Sequence, residues 1–116
     1  MSIIVCPGAT TTSSICRDAT VAKEGNCVQL NCATTLAFPV NWEFISAATR
    51  ETVHLYMAGS LLETYRGRFD VDKATDGQYN LKINPVLSVD AGRYRCIDDG
   101  GFGSLLIDIE FLVLRE

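Results

Sequence analysis

Apolar side chains recur at alternate positions in several separate stretches of the chain, the two-residue period of β-strands that bury one face. Val28, Leu30 and Cys32 form one such set, Trp42 and Phe44 a second, and Val53, Leu55 and Met57 a third. Tyr94 with Cys96 and Ile107, Ile109 with Phe111 complete the pattern towards the C-terminus. These stretches predict an all-β chain whose core is lined by the positions just named. Parity then assigns the intervening residues to the opposite faces. Asn41, Glu43 and Ile45 are expected outward on one strand, His54 and Tyr56 on the next, Arg95 and Ile97 on a third, and Leu106, Asp108 and Glu110 on the last.

Three short motifs sharpen the picture. In Asp90-Ala-Gly-Arg-Tyr94-Arg-Cys96 a Tyr precedes a Cys by two residues behind an Asp-x-Gly turn; Cys32 closes an earlier alternating strand, and Trp42 follows in Val40-Asn-Trp42. Together with Gly25-Asn-Cys-Val-Gln-Leu-Asn-Cys32, Arg68-Phe69 and Tyr79-Asn-Leu-Lys-Ile83, these residues resemble a V-set immunoglobulin domain from about residue 15 to the end. The resemblance implies a V-type β-sandwich of two antiparallel sheets in Greek-key arrangement, closed by an inter-sheet Cys32–Cys96 disulfide with Trp42 beside it. It also implies that Tyr94 is a tyrosine corner bonded to backbone just upstream, with Arg68 the salt-bridge partner of Asp90. The interval between Trp42 and Gly67 has room for two additional strands, read as Val53 to Met57 and Leu61 to Tyr65, which favours the variable over the constant type. Phe102-Gly103 partly matches the joining-segment motif that opens the last strand of antigen-receptor V domains. The chain is similar in these respects to V domains of antigen receptors, novel immune-type receptors and polymeric immunoglobulin receptor-like families.

Composition narrows the class further. The 116 residues are read as one V-set domain over 1–116, with 1–14 an N-terminal segment carrying a first strand or the crossing to a second near Ala19 to Val21. A net charge of −4 with no Lys/Arg cluster argues against nucleic acid and anionic membrane surfaces. The longest apolar stretch, Leu105 to Leu114, is interrupted by Asp108 and Glu110, so no direct membrane insertion is expected. No secretory leader is legible, and the expectation is a processed chain. Five Cys in so short a chain point to an oxidising, extracellular setting, and the odd number leaves one thiol over. Parity turns Cys27 outward, where a bridge to Cys6 would staple the first strand to the strand carrying Cys27. Cys6 is preferred to Cys16 as its partner, and a Cys6–Cys16 bridge remains open.

Catalytic and metal chemistry find no support. Cys27 and Cys32 lack zinc-ligand spacing with the single His54, and Asp70, Asp72 and Asp76 lack the terminal Glu of a calcium loop. His54 has no nucleophile motif to serve, so no enzyme and no cofactor are expected. No Asn-x-Ser/Thr acceptor occurs, which keeps every face free of N-glycan.

What is left is binding. The loops Ala33 to Pro39 and Asp98 to Ser104 are short, so the expected contact surface is a sheet face: Glu43 and Ile45, His54 and Tyr56, Arg95 and Ile97, with Leu106, Asp108 and Phe102 at its margin. Its expected character is an apolar centre with a charged rim. The chain therefore reads as an extracellular, immune-type recognition domain for protein partners, with V–V homodimerisation through that face; the alternative is a homophilic adhesion or structural module.

Overall fold

Residues 2–5, 17–33, 40–57, 59–72, 78–98 and 105–114 are described by a computed structural model of the chain. Among them the strands are β1 (Ser2–Val5), β2 (Arg17–Lys23), β3 (Val28–Leu30), β4 (Val40–Ser46) and β5 (Thr52–Met57). They continue with β6 (Ser60–Leu61), β7 (Phe69–Asp72), β8 (Asn80–Ile83), β9 (Gly92–Asp98) and β10 (Leu105–Leu114). Short 3-10 turns cover Glu63–Tyr65 and Ser88–Asp90. The strands form a seven-stranded sheet, in the order β1-β2-β10-β9-β4-β5-β6, and a three-stranded sheet, β3-β8-β7.

Alternation in sequence becomes alternation in burial wherever the strands are regular. Along β4, Val40, Trp42 and Phe44 are buried, and along β9, Gly92, Tyr94, Cys96 and Asp98 are buried, with half-buried residues between. Val40, Trp42, Phe44, Tyr94 and Cys96 meet Leu30, Leu81, Ile83, Phe69 and Val71 from the facing sheet in one core. The Cys32–Cys96 disulfide ties β9 to the segment just after β3, with Cα atoms 6.5 Å apart. Trp42 is fully buried, and its Nε1–H donates to the Tyr79 carbonyl at 2.7 Å, so the indole's polar end is satisfied inside the core. Asn80 is also buried, and its Oδ1 accepts from the Cys32 backbone N–H at 3.1 Å.

Gly92 opens β9 where its backbone lies close against β4. Its φ is +154°, and an added Cβ would lie 2.2 Å from the Ile45 carbonyl oxygen, a separation that no side chain can occupy. The turn ahead of it is pinned by Tyr94, whose hydroxyl donates to the Asp90 carbonyl at 2.7 Å while its ring stacks on Phe44 at 4.7 Å. Burial pushes the Tyr94 phenol well above its ordinary value. A raised folded value favours the neutral phenol, so this contribution is complete below the ordinary phenol pKa of about 10 and is lost as pH rises towards the folded value. Tyr94→Phe is expected to cost about 1 kcal/mol at neutral pH, the loss of one buried hydrogen bond. The gap from wild type should narrow above pH about 10, where ionisation of the unfolded phenol penalises only the wild type. Urea titrations at the two pH values measure both; a gap that widened at high pH would contradict the account.

The structure corrects four sequence expectations. β1 pairs antiparallel with β2, and β2 pairs parallel with β10, so the first strand lies at the edge of the larger sheet and not beside β3. Cys27, immediately before β3 in the other sheet, is accordingly an exposed free thiol, and the bridge expected to Cys6 is not formed. Cys6 and Cys16 themselves lie outside the described residues. The strand expected over Leu61 to Tyr65 is only Ser60–Leu61, because the chain turns into the 3-10 segment Glu63–Tyr65 before crossing to β7. Finally, Tyr56 faces the core: Leu55 and Tyr56 are both buried and Met57 is 43% exposed. The cause is a β-bulge, for Trp42 pairs with Tyr56 while Glu43 pairs with His54, leaving Leu55 as the extra residue that reverses parity beyond it.

Candidate partner-binding face

The outer surface of β10, β9, β4 and β5 brings together most of the residues that parity assigns to it. Pairing fixes what parity cannot, the level of each side chain along its strand. Asp108 pairs with Arg95, Arg95 with Glu43, and Glu43 with His54, so these four stand in one row across the four strands. One level along, Glu110 pairs with Arg93, Arg93 with Ile45, and Ile45 with Thr52. On the other side of the charged row, Leu105 pairs with Ile97 and Ile97 with Asn41, and a bulge between Leu105 and Ile107 displaces Leu106. The face is therefore a charged band with Leu105 and Ile97 on one side and Ile45, among polar and charged groups, on the other, not an apolar centre with a charged rim. Opposite charges occupy neighbouring strands at one level, where cross-strand attraction favours them.

Local geometry differs along the band. Arg93 holds Asp108 through both ends of its fork, Nε to Oδ1 at 2.6 Å and Nη2 to Oδ2, and the carboxylate raises the guanidinium pKa above its usual value. Arg95 touches Glu43 only through Nη1 at 3.5 Å, and His54 Nδ1 lies 3.6 Å from the other oxygen of Glu43, an ion pair when the imidazole is protonated. His54 is half exposed and Glu43 mostly covered. Asn41 Oδ1 and Arg95 Nε, both buried on this face, have no hydrogen-bond partner among the described residues.

Of the expected face residues, the structure thus places Glu43, Ile45, His54, Arg95, Ile97 and Asp108 together, puts Leu106 beside them, and removes Tyr56 to the core. Phe102 and both loops, Ala33 to Pro39 in its larger part and the segment after Asp98, lie outside the described residues. Sequence reasoning missed Arg93, although the same parity that turns Arg95 outward turns Arg93 outward too. It also missed a groove of about 780 Å³ bordered by Cys27, Leu61, Arg66, Asp70, Lys82 and Asn84. Among the described residues no three His, Cys, Asp or Glu side chains are grouped to hold a metal ion, and no helix is long and apolar enough to cross a membrane.

No family model matches the chain, and no curated protein matches it. Among solved structures it is similar to the crystal structure of the ZIG-8 IG1 homodimer, at 16% identity and a TM-score of 0.62, over 84% of this chain and 79% of that one. The fold is an immunoglobulin sandwich. As many as 1327 solved chains match it, so the immunoglobulin fold by itself selects no ligand, and function has to be argued from the face.

Proposed function

We propose that this immunoglobulin domain is an extracellular recognition module of the V type that binds protein partners, itself included, through the outer face of β10, β9, β4 and β5. The V-type reading is supported by β5 and β6, two strands intercalated between β4 and β7 at the edge of the larger sheet, and by the parallel pairing of β2 with β10. The disulfide supports an oxidising, extracellular setting. The observation that carries the function is the composition of the central strands: half-buried Ile45 and Ile97 border a row of ionic groups, on a surface whose sequence offers no N-glycan acceptor. Recognition of the immune-receptor kind is the finer part of this proposal, and the partial Phe102-Gly103 match to a joining segment is the sequence feature that favours it. A homophilic adhesive role is the second reading, favoured by the structural similarity to a domain crystallised as a homodimer.

Ile45→Asp tests the face, because it places a charge on a half-buried apolar position without touching the core. Sedimentation velocity over a wide concentration range should show wild-type self-association weakened at least about tenfold in the variant, with an unchanged thermal midpoint. Unaltered association and unaltered binding would remove this face from the function.

A further inference from the structure

We propose that two copies of this chain pair face to face about a two-fold axis that runs parallel to β9 and β4 and passes between them, so that Arg95 of each copy meets Glu43 of the other. This rests on the reading that the face pairs, and adds to it a geometry and the residues that set it.

The argument starts from the order of charges. Across the four strands the row reads Asp108, Arg95, Glu43, His54: acid, base, acid, imidazole. A two-fold interface is self-complementary, so each residue must face a suitable residue of the identical surface. An axis parallel to the strands, between β9 and β4, reverses the order of the row in the second copy. Arg95 then faces Glu43 twice, and Asp108 faces His54 twice. An axis along the row leaves the order unchanged and sets Asp108 on Asp108, Arg95 on Arg95 and Glu43 on Glu43. Juxtaposed like charges of that kind cost several kcal/mol, so the row itself selects between the two arrangements.

The groups have capacity for these contacts. Arg95 and Glu43 meet within one copy only at 3.5 Å, and Glu43 and His54 at 3.6 Å, well beyond the roughly 2.7–2.9 Å of a strong charge-assisted bond. Arg93 and Asp108, by contrast, are joined in a fork within the sheet, so Arg93 is held down beside the row. Ile45 and Ile97 lie on either side of the row on the two central strands; the same axis sets Ile45 of each copy over Arg93 of the other, whose aliphatic stem it can cover, and Ile97 over Asn41.

Charge exchange tests the geometry. Arg95→Glu and Glu43→Arg are prepared separately, and each is followed by sedimentation velocity alone and in equimolar mixture. Each variant alone should self-associate at least about a hundredfold more weakly than wild type, because it doubles a like-charge contact. The mixture should recover association close to wild type, since both contacts between positions 95 and 43 are then between opposite charges. His54→Glu, at a half-exposed position that the fold tolerates, should weaken wild-type association about tenfold by facing Asp108. A wild-type dimer whose association survives the single exchanges, or whose mixture stays monomeric, overturns this geometry and leaves pairing through the face standing. A strictly monomeric wild type overturns the homophilic reading together with it.

Discussion

Replacing Cys32 and Cys96 together with Ala is expected to lower the unfolding free energy by about 4 kcal/mol, the loop-closure entropy of a crosslink spanning 64 residues. Native single domains have only about 5–15 kcal/mol in total, so the double variant should sit close to its unfolding midpoint at 37 °C. The effect acts mainly through the unfolded chain, which regains the freedom that the bridge denies it. The folded state loses something as well, because both sulfurs lie fully within the core that Trp42 fills. That indole is the only tryptophan in the chain, so its fluorescence reports the same region directly. Urea titration of wild type and double variant followed by Trp42 emission gives the difference. A loss of less than about 1 kcal/mol would mean that the packing of β4 against β8 and β9 holds the sheets together unaided, and that the entropic account of the bridge is wrong.

How much of this was legible in the sequence depended on whether a strand was regular and anchored. On β4 and β9 one fixed side chain, Trp42 or Cys96, sets the direction of the others, and the burial alternates along the whole of β9 and along β4 as far as Ile45. On β5 the same reasoning failed after His54, since a bulge adds a residue without leaving any composition signal and turns Tyr56 inward. The N-terminal strand failed for a different reason. Ser2–Val5 is apolar enough to pair with either sheet, and the choice of β2 as its neighbour is a matter of topology that alternation does not encode. Membership of the face was likewise readable by parity, whereas its layout was not. Asp108, Arg95, Glu43 and His54 come from four strands, and only the hydrogen-bonding register shows that they share a level.

That dependence on register links the face to the turn beneath it. β9 carries Arg93, Arg95 and Ile97, and its start is set by the turn Ser88–Asp90, where Asp90 accepts from the Leu87 N–H through Oδ2 at 2.8 Å and from the Tyr94 hydroxyl through its carbonyl. Whatever loosens Asp90 should loosen the strand at the centre of the face.

Arg68→Ala is the substitution that does so, with an expected cost of about 3 kcal/mol. Arg68 grips the Asp90 carboxylate with both ends of its fork, Nη1 to Oδ2 at 2.6 Å and Nη2 to Oδ1 at 3.0 Å, and Nη1 also donates to the Pro85 carbonyl at 3.0 Å. Its guanidinium lies over the Phe69 ring at 5.1 Å, and the hydrogen-bonded carboxylate raises its pKa above the usual value. The Asp90 side chain is 2% exposed, so deleting Arg68 leaves a buried carboxylate without its cation, a change that typically costs about 3–5 kcal/mol. The lower end applies because Arg68 itself is 28% exposed and water can reach part of the vacated site. Arg68→Lys should recover little of the loss, since an ammonium cannot reproduce the paired donors of the fork. Asp90→Ala in the same background should add less than it costs alone, because its main partner is already gone. Urea titration of the two single variants and the double variant completes the cycle. Additive losses would show that Arg68 and Asp90 contribute independently, and that the turn ahead of β9 is held by Tyr94 and the backbone without help from this pair.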